Sequence, residues 1–212
     1  MTVPAGRLSL QGILGLPEQP AGVVLFAHGS GSGRLSPRNT LVARVLQGGG
    51  LATLLIDLLE EREAEDRRKV FDIDLLAERL LAATDWLHQH PTTRGLRVGY
   101  FGASTGAGAA LQSAARSPAP VAAVVSRGGR PDLAAAYLPN VVTPTLLIVG
   151  GDDRSVIRMN EEALALLTCP KELVIVPGAT HLFEEPGTLE QVADLALKWF
   201  RRYAVGSRTA GR

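Results

Sequence analysis

The sequence lacks the features that mark several classes of protein. One cysteine, Cys169, occurs among 212 residues, so no disulfide can form within the chain, and this fits a reducing compartment. The formal net charge is only +1, which gives the molecule no overall field that would attract nucleic acid or an anionic membrane. No apolar run approaches the roughly 20 residues of a membrane-spanning helix. Polar residues and glycine also interrupt any secretory core near the N-terminus.

These absences predict a cytoplasmic protein that has neither nucleic-acid nor membrane partners. The hydrophobic fraction of 46% and the charged fraction of 20% are ordinary for a globular chain. We expect one domain over residues 1–204, because the chain is long enough for one substantial core and short for two. Small and basic residues dominate 205–212, which we expect to be a frayed tail. The sequence does not indicate an oligomeric state.

Short apolar runs alternate with segments of helical period along most of the chain. One of these segments carries an apolar stripe at spacings of three and four between residues 73 and 87. The alternation predicts an α/β fold, in which helices cover both faces of a mostly parallel sheet. Residues 7–16 have no helix after them and are expected to form an antiparallel pair at the sheet edge. The runs that predict buried strands are 23–27, 52–56, 96–101, 121–125, 145–149 and 173–176.

The stretch GASTG at 102–106 places Ser104 between two glycines. It follows a predicted strand and precedes an alanine-rich helix predicted over 105–116. In that context G-x-S-x-G is typical of a nucleophile elbow, where a tight turn exposes the serine Oγ beside a helix N-terminus. A flexible linker would not lie between a buried strand and a helix, so we expect Ser104 to act as a nucleophile.

Four histidines could serve as the general base for this serine. His88 and His90 end a long predicted helix, where the helix dipole explains them. His28 ends a strand before a glycine, and a structural role in the turn is expected. His181 follows the last predicted strand on a loop at the carboxyl edge of the sheet, where ligands gather, and is the expected base.

The acid that orients the base is expected after the strand at 145–149. Asp152 and Asp153 both lie there, and either could instead cap the helix that begins near Ser155. We expect one of the two to be local structure and the other to be the acid. Residue types alone leave the choice open, but the order serine, aspartate, histidine is that of the α/β-hydrolase fold.

Together these motifs resemble the dienelactone-hydrolase-like branch of the α/β-hydrolases, over roughly residues 8–203. The resemblance rests on HGSGSG at 28–33, GASTG at 102–106, GATH at 178–181 and a G-x-x-D-x-x-V pattern at 150–156. It implies an α/β-hydrolase fold. The segments between the predicted strands leave no room for an inserted cap domain, and no metal or cofactor is expected. The implied triad is Ser104, Asp153 and His181, and the backbone N–H groups of Ser30 and Thr105 form the implied oxyanion hole.

The elbow departs from dienelactone hydrolases proper, which use a cysteine nucleophile. A serine favours general ester chemistry over specificity for lactones. The sequence therefore predicts a serine hydrolase that cleaves carboxylic esters or lactones of small soluble substrates through an acyl-enzyme on Ser104. Two alternatives remain: a thioesterase or acyltransferase with the same triad, and a non-catalytic binding protein that shares the fold.

Two further segments have open roles. Arg127 and Arg130 follow a predicted strand, so either could bind a substrate carboxylate, or could form a salt bridge with Asp132 or the acidic loop. The charged stretch 58–72 could form a rim that selects substrates, or could be a solvated loop that leads into a helix.

Overall fold

An eight-stranded sheet organises the computed structural model, which describes residues 1–205. The strand order is β1-β2-β4-β3-β5-β6-β7-β8. The pairings of β1 with β2 and of β2 with β4 are antiparallel, and the remaining pairings are parallel. The strands are Thr2–Ala5 (β1), Leu8–Gly15 (β2), Val23–Ala27 (β3), Ala52–Ile56 (β4), Val98–Ala103 (β5), Val124–Arg127 (β6), Thr145–Gly150 (β7) and Lys171–Val176 (β8).

Helices cover both faces of this sheet. Helices α1 and α7 share one apolar cluster with the sheet, and α4, α5 and α6 share the other. Strand β3 shows why both faces must be covered, since alternate residues such as Val24 and Leu25 enter opposite clusters. The helices are Pro37–Gly48 (α1), Glu61–Ala64 (α2), Arg67–Val70 (α3), Ile73–Gln89 (α4), Thr105–Arg116 (α5), Arg154–Leu166 (α6) and Thr188–Tyr203 (α7), with a 3₁₀ helix at Pro131–Asn140.

The predicted α/β class and the mostly parallel sheet are confirmed, and within residues 1–205 no separate domain is inserted between two strands. The predicted pair at 7–16 is instead a single strand, β2. Its partner β1 precedes it, because the chain reverses at Gly6, which has a φ of 65°. Most of the tail predicted at 205–212 lies outside the described residues. None of the helices in the described part of the chain is long and apolar enough to cross a membrane.

Two predicted strands begin and end later than their apolar runs. Strand β5 extends to Ala103 and β6 to Arg127, because the parallel ladder continues through Gly102 opposite Ser126 and Ala103 opposite Arg127. The residues at these ends are small or polar, so the apolar pattern that predicted the strands stops before them. As a result Arg127 is the last residue of a strand and not part of the loop after it.

The charged stretch 58–72 is more ordered than a solvated loop. It forms the short helices α2 and α3, and its first residues, Leu58 and Leu59, are buried. Glu63 accepts hydrogen bonds from the Arg79 guanidinium of α4 at 2.5 and 2.8 Å and from Lys69 at 2.9 Å. The guanidinium also donates to the Leu58 carbonyl at 2.7 Å. An ion pair therefore anchors this segment to α4.

Removal of the Glu63 charge should destabilise the protein. Arg79 is only 7% exposed, so Glu63→Gln leaves a buried cation without its counter-ion and should lower the free energy of unfolding by about 3 kcal/mol. Urea denaturation measures this loss, and the exposed Glu61→Gln in the same helix is the matched control. Equal stability of the two variants would contradict the anchoring role.

The same contact should vanish in acid. The Arg79 guanidinium lowers the pKa of Glu63 from 4.5 to about 2. A carboxyl with a depressed folded pKa stabilises the fold above its unfolded pKa and loses that contribution as pH falls through the folded one. The stability difference between wild type and Glu63→Gln should therefore be full at pH 6 and largely gone near pH 2. A difference that does not change over this range would contradict the assignment.

Candidate active site

Ser104 lies at a strand-to-helix turn between β5 and α5, as predicted. Its φ of 50° and ψ of −121° are strained values for a residue with a side chain. A Cβ at Gly106 would overlap the carbonyl oxygens of Ala27 and His28, and a Cβ at Gly102 would overlap the backbone of Ala107. The glycines therefore allow the strand, the turn and the helix to pack closely enough to hold the serine in this conformation.

His181 connects Ser104 to an aspartate. Its Nδ1 lies 2.7 Å from Asp153 Oδ2, and its Nε2 lies 3.4 Å from Ser104 Oγ. With the Nδ1–H directed at the carboxylate, Nε2 is left as the acceptor that faces the serine hydroxyl. The structure thus brings together the three residues that the sequence and the resemblance selected.

Asp153 combines the two roles that we expected to fall on separate residues. Its side chain caps α6 by accepting the Val156 N–H at 3.4 Å, and its other carboxylate oxygen contacts His181. Asp152 is exposed, and its backbone N–H donates to Ala179. A carboxylate has two oxygens and can accept from two donors, so the helix cap and the contact with His181 both fall on Asp153.

Ser30 and Thr105, the candidate oxyanion residues, contact each other. The Ser30 backbone N–H donates to the Thr105 hydroxyl at 3.0 Å. Thr105 is the first residue of α5, where backbone N–H groups lack a partner within the helix. The hydroxyl therefore ties the HGSGSG loop to the helix N-terminus beside Ser104, a contact that the sequence did not predict.

His28 has the structural role expected of it. Its Nε2 accepts the Leu58 N–H at 2.9 Å, and its Nδ1 lies 2.9 Å from the Gly29 carbonyl oxygen. Burial lowers the pKa of His28, so the ring is neutral at physiological pH and carries one proton, on Nδ1. It links the HGSGSG loop to the start of the charged stretch.

The two candidate arginines differ in their surroundings. Arg130 forms a bidentate pair with Asp132, with N–O distances of 2.8 and 2.7 Å. Arg127 is buried and lines a cavity of about 200 Å³ together with Ser104 and His181. Arg38, from the first turn of α1, lines the same cavity. No pattern in the sequence distinguished Arg38 from other surface arginines.

A second, apolar cavity adjoins the first across the HGSGSG loop. Its volume is about 280 Å³, and Ser30 and Thr105 form one side of it. Leu59 and Val70 of the charged stretch and Leu76 of α4 also line it. The stretch 58–72 therefore borders the candidate site. Within residues 1–205, no three His, Cys, Asp or Glu side chains cluster closely enough to hold a metal ion.

The contact at Gly106 gives a prediction about stability. Gly106→Ala must move α5 away from strand β3 and should lower the free energy of unfolding by about 3 kcal/mol. The matched control is Gly48→Ala, since a Cβ at Gly48 meets no atom within 4 Å. Thermal unfolding of both variants tests this, and a Gly106→Ala variant as stable as Gly48→Ala would contradict it.

Known proteins with the same fold include a closely similar enzyme. The dienelactone hydrolase of Anabaena variabilis is 60% identical, with a TM-score of 0.93, and the match covers 96% of both chains. A serine hydrolase without lid from Xanthomonas campestris is 22% identical, with a TM-score of 0.76 over 95% of this chain and 93% of that one. This second similarity shows the shared fold.

The curated relatives are longer proteins. A Mycobacterium tuberculosis protein provisionally named a phosphoribosyl transferase is 58% identical over 209 residues, which are 99% of this chain and 47% of that protein. The chain thus spans about half the length of the curated relatives it matches. The profile of the dienelactone hydrolase family matches residues 10–203. The chain therefore belongs to the dienelactone hydrolase family and has the α/β-hydrolase fold.

Proposed function

We propose that the protein is a hydrolase that cleaves carboxylic esters or lactones of small soluble substrates through an acyl-enzyme on Ser104. The observation that carries the proposal is the hydrogen-bonded series from Asp153 through His181 to Ser104 at a strained turn. A nucleophile, a base and an orienting acid in this geometry are what acyl transfer needs.

In the first half-reaction, His181 Nε2 accepts the Ser104 hydroxyl proton while Oγ bonds to the acyl carbon. Asp153 holds the Nδ1–H and stabilises the imidazolium that forms. The tetrahedral intermediate then expels the leaving oxygen, which takes the proton from Nε2. An alcohol departs and the acyl group stays on Ser104.

In the second half-reaction, water replaces the alcohol. His181 takes one proton from the water, whose oxygen bonds to the acyl carbon, and Ser104 Oγ leaves with that proton. The products are a carboxylic acid and the free serine. The negative oxygen that develops in both halves would lie against the Thr105 N–H at the start of α5 and the Ser30 N–H of the HGSGSG loop.

The Thr105 hydroxyl acts as a positioning group in this scheme. Because it accepts the Ser30 N–H at 3.0 Å, it holds that donor near the helix N-terminus until an oxyanion forms. Thr105 itself is buried, so its side chain is fixed by packing. The HGSGSG loop thus depends on a residue 75 positions away in the sequence.

Activity assays with other substrates distinguish the alternative functions. Thioesters and alcohol acceptors would use the same three side chains, so a thioesterase or acyltransferase would appear as a preference among substrates. A binding protein would hydrolyse none of them. Phosphoribosyl transfer is not favoured, because more than half of each so-named relative lies outside its match to this chain.

Substitution of the acid separates its catalytic role from its capping role. Asn caps a helix as well as Asp does but cannot stabilise an imidazolium, so Asp153→Asn should lower kcat by about 10⁴ with little loss of stability. Ser104→Ala should abolish hydrolysis of p-nitrophenyl butanoate. The neighbouring Asp152→Asn is the matched control and should stay within a few-fold of wild type. A larger loss in Asp152→Asn would sink the assignment of the acid.

Substitution of Thr105 tests the positioning of the oxyanion donor. Thr105→Val keeps the shape but removes the acceptor of the Ser30 N–H, so kcat should fall by up to about 10² while KM changes little. Thr105→Ser keeps the hydroxyl and should recover most of the rate. Equal kcat values in the two variants would show that the hydroxyl has no part in turnover.

A further inference from the structure

Two arginines beside Ser104 have buried N–H groups without partners. Arg127 is 7% exposed, and its Nε and Nη1 have no hydrogen-bond partner among residues 1–205. The buried Nε of Arg38 is likewise unpaired within that range. The Arg127 guanidinium carbon lies over the Phe183 ring, 5.9 Å from the ring centre. A buried cation with unused donors is costly unless an anion completes it.

The charge around this pair is unbalanced. Burial, and secondarily the charge of Arg38, lowers the pKa of Arg127 to about 10, so its guanidinium is still protonated at neutral pH. Arg38 donates to the exposed carboxylate of Glu184 at 3.1 Å. Among the described residues no carboxylate pairs with Arg127 in this way. Arg38 and Arg127 together therefore carry one positive charge more than the carboxylate of Glu184 balances.

The position of His181 determines which part of a substrate meets these arginines. Arg38, Arg127, His181 and Ser104 line one cavity, and the proton on His181 must go to the leaving oxygen. The leaving alcohol therefore lies on the arginine side. The apolar cavity bordered by Ser30 and Thr105 contains neither His181 nor an arginine among its lining residues, and it suits the acyl chain.

We propose that the substrate is an ester between a small apolar acid and an alcohol that carries an anionic group, either a carboxylate or a phosphate. Arg127 and Arg38 bind that anion, and the cavity lined by Leu59, Val70 and Leu76 binds the acyl chain. The volumes of about 200 and 280 Å³ lie at or below the small end of the range for ligand pockets, so both parts are small. This inference rests on the proposed ester hydrolysis.

Four matched esters test which part of the substrate carries the anionic group. Ethyl butanoate is neutral, O-butanoyl glycolate carries a carboxylate on the alcohol, O-butanoyl-2-hydroxyethyl phosphate carries a phosphate there, and monoethyl succinate carries its carboxylate on the acid. The wild-type kcat/KM for an ester with the anion on the alcohol should exceed that for ethyl butanoate by about 10- to 100-fold, the effect of a charge-assisted hydrogen bond. The better of the two anionic alcohols distinguishes a hydroxy acid from a phosphorylated alcohol.

The outcomes separate the inference from the function on which it rests. Hydrolysis of ethyl butanoate with no gain from either anionic alcohol would overturn the inference and leave the esterase proposal standing. A preference for monoethyl succinate would place the anion on the acid and also overturn it. Failure to hydrolyse any of the four esters would overturn both.

Arginine variants test whether these side chains cause the preference for an anionic alcohol. The preference is measured as the ratio of two kcat/KM values, the value for the anionic ester divided by the value for ethyl butanoate. Arg127→Gln should bring this ratio close to 1. Arg38→Gln, on a partly exposed side chain, should lower the same ratio even if the buried variant does not fold. The matched control is Arg130→Gln, whose partner is Asp132, and its ratio should equal that of wild type. A ratio that survives both Arg127→Gln and Arg38→Gln would contradict the proposal.

Discussion

The close contact between helix α5 and the end of strand β3 is the constraint on which the site depends. At Gly106 the helix backbone lies so near the carbonyl oxygens of Ala27 and His28 that no side chain fits between them. This approach leaves Ser104 in a strained backbone conformation and places Thr105 where its hydroxyl meets the Ser30 N–H. Ser104 and the HGSGSG loop are thus positioned by one backbone-to-backbone contact.

Two further sets of contacts connect this region to the residues that line the two cavities. On one side, His28 joins the HGSGSG loop to Leu58, and the pair of Glu63 with Arg79 secures the segment that walls the apolar cavity. On the other side, Gly128 adopts a φ of 50° and packs against His181, next to the buried Arg127. Ser104 therefore lies near an apolar cavity and a cationic one, whose distinguishing residues come from different parts of the sequence.

The sequence predicted the parts of the site that follow from strand ends. Ser104, His181 and the pair Asp152 and Asp153 each come shortly after a predicted apolar strand, and the carboxyl ends of parallel strands meet at one edge. The choice of Asp153 from this pair came from the family resemblance. The limits of β5 and β6 were misjudged because their last residues are small or polar yet continue the ladder. Arg38 and the Thr105 hydroxyl were missed, since their importance arises from neighbours that only the tertiary fold brings near. The dual role of Asp153 likewise depends on where each carboxylate oxygen points.

Intact-mass measurement after exposure to a fluorophosphonate, followed by peptide mapping, tests whether Ser104 is an activated nucleophile. The reagent forms a stable adduct only with a serine that a general base activates, and only where hydrogen-bond donors hold the phosphoryl oxygen of the reagent. We expect one adduct per chain, on Ser104, and none on a folded Ser104→Ala variant. Folded wild-type protein that gains no adduct, or gains one at another serine, would contradict the claim that this turn, base and donor loop form an acyl-transfer site.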